Sequence, residues 1–251
     1  MNTYRTPPRR SRQAGFTLVE MMVAITIGLV VLFGMTATFV NLKNTFRSQD
    51  QLGQLQDNER LALTYLTNSI NEAGYYPDPK SASTITSSTA PATSPVSPGG
   101  TMPAAVGVFG TADGGTATTP ESLQTAYASV STDGLISCIG SSYAGTGTVT
   151  VRNIYYVDPS TNSLMCRTLV NGLASDTMTN GGTPQVLVTG ITKMAVMYGL
   201  APAGTSQVNV YVAPANVPSW ATVKSVRITL TFANPFGGTS IVRTHTINVM
   251  N

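Results

Sequence analysis

The residue best placed to do chemistry is a glutamate at the start of a long apolar run. Glu20 is followed by twenty uncharged residues, 21–40, so we expect it to lie at or near a lipid membrane. A carboxylate at the bilayer centre costs about 2.5–3.5 kcal/mol, and less near the interface. An ionisable group in such a place is by default functional and needs a partner.

Two cysteines form the second candidate site. Cys138 and Cys166 are the only cysteines, and no CxxC or Cys/His cluster predicts a zinc site. In an exported domain such a pair favours a disulfide, whereas in a cytosolic domain two buried free thiols are the better interpretation.

The other candidate residues show no pattern typical of catalysis. His245 is the only histidine, and its position in an alternating predicted strand favours a surface residue over a catalytic base. No G-x-S-x-G, phosphate-binding loop or H-E-x-x-H motif occurs. Trp220 is expected to be a packing anchor. We predict that the chain is not an enzyme and has no cofactor or metal.

Four aspartates lie among predicted turns, where this residue commonly stabilises the backbone: Asp113, Asp133, Asp158 and Asp176. A calcium site formed by some of them is the alternative interpretation.

Composition and charge exclude several classes of protein. The 251 residues suit one domain, or one domain with an appendage. Four arginines lie in residues 1–15, and the other 236 residues hold ten basic and eleven acidic groups. The net charge of +3 therefore belongs to the leader, and no basic face indicates nucleic-acid binding.

The apolar run is long enough to span a bilayer. At 1.5 Å per residue, the twenty residues 21–40 reach about 30 Å, the thickness of one hydrocarbon core. The preceding arginines orient the N-terminus towards the cytoplasm. A cleavable secretory signal would have a shorter apolar region followed by a small-residue site, and a plain signal anchor would leave Glu20 unexplained.

Helical periodicity continues beyond the membrane segment. Apolar residues recur at spacings of three, four or seven and predict an amphipathic stripe that packs against a globular domain: Leu52, Leu55, Ala62, Leu66, Ile70 and Ala73. Gly74 and Pro77 end the pattern, so we predict one helix over 16–73.

The remainder divides into a Ser/Thr/Pro/Gly-rich loop region, 77–134, and a β-rich domain, 135–251. Seven strands are predicted, over 148–157, 163–170, 185–190, 192–200, 208–212, 223–232 and 241–249. The expected fold class is α+β, with a long N-terminal helix packed on an antiparallel sheet.

The stretch AGFTLVEMMVAI resembles the class III signal of type IV prepilins and pseudopilins. In that family a short basic leader ends in glycine, and an apolar residue, Thr-Leu-x-Glu and the membrane run follow. The resemblance implies that a prepilin peptidase cuts between Gly15 and Phe16 and methylates the Phe16 amine. Residues 1–15 are then the leader, 16–42 the transmembrane and filament-core half of the helix, and 43–76 its amphipathic half.

Physical chemistry supports a pairing role for Glu20 in such a protein. Cleavage creates a positive amine on Phe16, and opposite charges attract strongly in a low dielectric. Between subunits, Glu20 of one chain is expected to neutralise the Phe16 amine of its neighbour and so set their axial register.

The β-rich half resembles the PilW-type minor pilins, with the J-type pseudopilins of type II secretion as structural counterparts. The motifs are ISCIG, NIYYV, SLMCRTLV and VPSWATVKSVRITL, and the mid-chain cysteines argue against a major pilin. The resemblance implies a structural subunit that helps to initiate pilus assembly near the tip. It also implies storage in the inner membrane with a periplasmic C-terminal domain, and later display on the cell surface.

The partners implied by this resemblance are the prepilin peptidase, other minor pilins, the major pilin, the inner-membrane assembly platform and the membrane itself. Two alternatives stay open. One is a J-type pseudopilin of a type II secretion system, and the other is a monomeric ligand-binding module that merely uses the prepilin signal.

Overall fold

A computed structural model describes residues 15, 17–77, 85, 88–90, 100–112, 120–170, 182–202 and 204–249. The molecule divides into two units, Met1–Gln51 and Leu52–Asn251. The first contains the N-terminal part of one helix, and the second contains the rest of that helix and all the β-strands.

Within the described residues there is one α-helix, α1, which runs over Leu18–Glu72 and contains 55 residues. The predicted start at Phe16 lies outside the described residues. After Glu72 the chain leaves the helix through Gly74, whose φ of 86° is a conformation that glycine adopts without strain. The Gly74 amide then donates to the carbonyl of Ala126 at 2.9 Å, so the end of α1 is tied to the β-structure of the second unit.

Eleven strands are present in the part of the chain that the structure describes. They are β1 (Ser88–Ala90), β2 (Gly100–Met102), β3 (Val108–Thr111), β4 (Ser122–Ser129), β5 (Val149–Asp158), β6 (Ser163–Val170), β7 (Gln185–Thr189), β8 (Ile191–Leu200), β9 (Val210–Val212), β10 (Val223–Phe232) and β11 (Ile241–Asn248). Two short 3-10 helices, Pro214–Asn216 and Trp220–Thr222, lie between β9 and β10.

The strands are antiparallel and with the long helix confirm the predicted α+β fold class, but they form more than the one sheet expected. Five strands pair in the order β3-β4-β5-β6-β7, four pair in the order β11-β10-β8-β9, and β1 pairs with β2. A single residue, Gly190, separates β7 from β8 and has a φ of 82°. This left-handed conformation lets the chain leave one large sheet and enter the other within one residue.

The hydrophobic core of the second unit lies between α1 and the two large sheets. Four residues of the predicted stripe are buried in it, whereas Leu55 is partly buried and Leu52 is exposed; the four are Ala62, Leu66, Ile70 and Ala73. The inward face of β10 completes this core through alternate residues, as predicted; these are Val226, Ile228 and Leu230.

The segment expected to be a loop region, 77–134, contains a buried strand. All eight residues of β4 are buried, and its middle residues are polar. They are satisfied by side-chain hydrogen bonds: Arg152 donates through Nε to Gln124 Oε1 at 2.9 Å, and the hydroxyls of Ser69 and Thr125 lie 2.5 Å apart. Burial of polar groups is tolerated only with such partners. Because the partners come from other elements, the local sequence gives little sign that this segment is a buried strand.

An aromatic cluster also lies in the second unit. The ring of Trp220 lies 4.7 Å from the ring of Phe109 and 4.8 Å from that of Tyr198. The Tyr198 hydroxyl donates to the carbonyl of Phe109 at 3.4 Å, and Gly110 leaves room for the Tyr198 ring. Trp220 is thus a packing residue, as the sequence predicted.

The burial of three tyrosines leads us to predict that the free energy of unfolding falls in alkali. Burial raises the pKa of Tyr127, Tyr155 and Tyr198 well above the ordinary value of 10.0. The unfolded chain therefore loses three phenolic protons near pH 10 that the folded chain keeps, so stability falls as pH rises. Burial and the neighbouring Arg167 lower the pKa of Arg152 to about 10, which acts in the opposite sense.

We expect the free energy of unfolding to be lower at pH 11 than at pH 9 by a few kcal/mol, since the three tyrosines all act in this direction and Arg152 offsets about one of them. Urea unfolding of the full chain in detergent measures this difference. Tyr127→Phe should reduce the difference, and Tyr75→Phe, at an exposed position, should leave it unchanged. Equal stability at the two pH values would contradict the prediction.

Candidate processing and assembly site

The N-terminal end of α1 holds the residues predicted to be processed. Gly15 is exposed, and Phe16 lies outside the described residues. Thr17 immediately precedes the helix, and its Oγ1 accepts a hydrogen bond from the backbone N–H of Glu20 at 3.3 Å. Its carbonyl accepts from Met21 N at 3.2 Å and so begins the helical hydrogen bonding.

Thr17 and Glu20 have the spacing of a capping box, Thr-x-x-Glu, in which a threonine caps the helix and a glutamate occupies its third position. This local role was missed in the sequence analysis, although the spacing alone is its signal. Glu20 also lies in the first turn, where a negative charge is favoured by the helix dipole. The carboxylate is exposed, and no ion pair involves it among the described residues.

The helix beyond Glu20 presents an apolar surface within the first unit. Its large side chains from Leu18 to Phe46 are exposed, and the helix is long and apolar enough to cross a membrane by length and composition. Three threonines interrupt residues 21–40. Each donates its hydroxyl proton to a helix carbonyl three or four residues earlier, at 2.8–3.0 Å: Thr26, Thr36 and Thr38.

A disulfide joins Cys138 to Cys166, with their Cα atoms 6.3 Å apart. Cys166 lies in β6 and is fully buried, and Cys138 packs against the same core. The Cys138 amide donates to Asn153 Oδ1 at 3.3 Å. The bridge therefore fixes the loop that contains Cys138 onto the middle of the five-stranded sheet.

Removal of the disulfide should cost about 3–4 kcal/mol of unfolding free energy, because it restricts a loop of about 29 residues in the unfolded chain. The double variant Cys138→Ala, Cys166→Ala, compared with the parent by urea unfolding of the full chain in detergent, measures this loss. Reductant should lower the midpoint of the parent and leave that of the variant unchanged. Equal midpoints for parent and variant would contradict the prediction.

The other candidate residues that the structure describes lie in turns or on an exposed strand. Asp133 accepts backbone hydrogen bonds from Val130 and Leu135, and Asp158 accepts from Ser160, as expected of turn residues. Asp113 and Asp176 lie outside the described residues. No group of three or more His, Cys, Asp or Glu side chains suited to a metal occurs within the described ranges. His245 is exposed on β11, as predicted.

Two comparisons with protein families fit this arrangement. The model for the prokaryotic N-terminal methylation motif matches residues 10–36, which include the Gly15–Phe16 bond and Glu20. This part of the chain is therefore similar to the N-terminal motif of prepilin-like proteins. The model for type IV pilus-assembly protein W matches residues 154–249, from within β5 to the end of β11.

The chain therefore combines a prepilin-type methylation motif with a PilW domain, and the two matches support a minor pilin of a type IV pilus in general terms. Both families consist of structural proteins, and the similarity fits a chain that interacts with other pilins and the assembly machinery. The apolar helix and the motif fit a pilin anchored in the inner membrane. None of the curated proteins matches the chain significantly.

Proposed function

We propose that this protein is a minor pilin that helps to initiate assembly of a type IV pilus and occupies a position near its tip. The observation that carries the proposal is the combination of an exposed apolar helix behind a methylation motif with a PilW domain in one chain. Such a chain has one part suited to lipid or to a filament core, and another suited to solvent.

In this proposal the prepilin peptidase removes residues 1–15 and methylates Phe16. The helix holds the subunit in the inner membrane until other minor pilins, the major pilin and the assembly platform move it into a filament. The globular domain lies in the periplasm before assembly, where an oxidising environment favours the Cys138–Cys166 disulfide. The proposal assigns the chain no catalytic step.

Deletion of the gene, scored in parallel for surface pili and for type II secretion, tests the proposal. We expect sparse or absent pili with normal secretion, and restoration by the parent gene. Normal pili with blocked secretion would instead favour a pseudopilin. The tip position is tested separately by immunogold labelling of residues 135–251, which should mark filament ends; label along the whole filament would contradict it.

A further inference from the structure

The free edge of β11 is the part of the second unit best suited to bind another chain. In the sheet order β11-β10-β8-β9, β11 is at an edge and pairs with β10 on one side. Among the described residues no strand pairs with its other side. Five consecutive side chains, 242–246, are exposed, so the edge is accessible over most of its length.

The register identifies which backbone groups are free. Val249 N donates to Lys224 O at 2.9 Å. Hydrogen-bonded and non-hydrogen-bonded pairs alternate in an antiparallel ladder, so odd-numbered residues of β11 bond to β10. The N–H and C=O groups of Val242, Thr244 and Thr246 therefore point away from the sheet. The hydroxyls of Thr229 and Thr244, 3.0 Å apart, fit the closer side-chain approach of a non-hydrogen-bonded pair.

A groove of about 580 Å³ lies beside this edge, between β11 and α1. We name it the β11 groove; its lining residues are Gln56, Glu59, Arg60, Leu63, Thr64, Thr67, Asn68 and His245. The helical part of this lining runs from Gln56 to Asn68, about 18 Å at 1.5 Å per residue. That length matches five or six residues of an extended strand.

The charges of the groove limit the kind of segment that would fit it. One carboxylate and one guanidinium line it, together with the imidazole of His245, and Glu59 also binds Arg243 Nε at 3.0 Å. Most of the other lining side chains are amides and hydroxyls, which can donate to and accept from a peptide backbone. A groove without net charge, next to free strand hydrogen-bonding groups, suits an uncharged segment in extended conformation.

A second copy of this chain fits the edge poorly. Symmetric antiparallel pairing of two β11 strands would place odd-numbered residues of one copy opposite odd-numbered residues of the other. Arg243 lies among these odd-numbered residues, so in a register centred near the middle of β11 the two Arg243 side chains would lie opposite or diagonal to each other. Like charges opposite each other destabilise a strand pair.

We propose that the free edge of β11 and the β11 groove receive an uncharged, extended segment of a different pilin subunit, which adds to the sheet as a fifth strand beside β11. This inference rests on the proposed function, since that function supplies other pilins as neighbours. Addition of a strand to an exposed sheet edge is a general mode of protein recognition.

Photocrosslinking in cells that assemble filaments tests this proposal. A photoreactive residue at Thr64, in the groove, should capture another pilin. The same residue at Lys193, exposed on β8, is the matched control and should not. In the protein that carries the photoreactive residue at position 64, the further substitution Thr244→Pro should reduce the crosslink about tenfold. Proline removes one outward N–H and so leaves an acceptor of the partner unsatisfied.

Thr244→Val keeps this N–H and should retain the crosslink. Thr67→Trp, which fills the groove from the helix side, should reduce it without altering β11. Formation of the Cys138–Cys166 disulfide reports that each variant is folded. A crosslink to a second copy, or one unaffected by both Thr244→Pro and Thr67→Trp, would overturn the proposal.

The same experiment separates this proposal from the proposed function. If the parent chain enters filaments and Thr64 captures no pilin, the docking surface is wrong and the minor-pilin function stands. If the parent chain is absent from filaments, the proposed function fails, while a pilin captured at Thr64 would still support the groove.

Discussion

Replacement of Glu20 by alanine should leave the precursor cleaved at Gly15 and reduce its incorporation into filaments at least about tenfold. Loss of one member of a buried ion pair costs about 3–5 kcal/mol, because the other charge is left uncompensated. Here the charge left behind would be the methylated amine of a neighbouring Phe16. Incorporation is measured as the ratio of subunit in sheared filaments to subunit in membranes, with processing followed by intact mass.

The capping box offers a competing explanation for any effect of this substitution, because a glutamate at position 20 has the spacing to accept a hydrogen bond from the backbone N–H of Thr17, which alanine cannot do. Glu20→Gln separates the two roles because glutamine also serves at this position of a capping box but carries no charge. If charge neutralisation is required, Glu20→Gln should fail as Glu20→Ala does.

Thr17→Ala is the reciprocal control. It removes the cap, at about 1 kcal/mol, and keeps the carboxylate, so incorporation should be largely retained. Normal incorporation of Glu20→Gln together with loss in Thr17→Ala would show that the pair acts through the helix end and would refute the charge-pairing role.

Substitution of Gly15 by leucine should block processing and exclude the chain from filaments. Glycine lacks a Cβ and allows close approach to the backbone, which a peptidase needs at the bond that it cleaves. An uncleaved chain keeps Arg5, Arg9, Arg10 and Arg12. Burial of four arginines in an apolar core would cost about 10–14 kcal/mol, far more than the loss of the Glu20 pair.

Intact mass of the protein extracted from membranes measures this effect. The parent should lack residues 1–15 and carry one methyl group, whereas Gly15→Leu should retain the leader and lack the methyl group. Ala14→Ser is a neighbouring control that should be processed normally. Cleavage of the Gly15→Leu variant at the same bond would be incompatible with the predicted site.

Elements with a strong local pattern were predictable from the sequence. The bounds of β6 and β10 agree with the predicted 163–170 and 223–232, because apolar and β-branched residues dominate these stretches. The buried stripe of α1 followed from its spacing, and the Cys138–Cys166 bridge from the presence of one pair in a domain expected to be exported. The roles of Gly15, Phe16 and Glu20 stay predictions.

Features that depend on distant partners were not predictable. The burial of β4 depends on Arg152 and Ser69, which come from β5 and α1, so its own residues read as a polar segment. Division into two large sheets depends on the chain changing direction at Gly190, and a glycine between two strands is equally typical of a hairpin. The β11 groove combines His245 with helix residues 177 to 189 positions earlier in the chain, beyond the reach of any local pattern.

The three threonines that bond to their own helix have a consequence for the reversibility of assembly. Because Thr26, Thr36 and Thr38 satisfy their hydroxyls internally, residues 21–40 demand no polar partner from their surroundings. Lipid chains and the side chains of neighbouring helices are about equally apolar, so transfer between them changes the hydrophobic free energy little. In the proposed function, a machine that moves this subunit would do little work against solvation in either direction, and the same helix could be returned to the bilayer when a filament is dismantled.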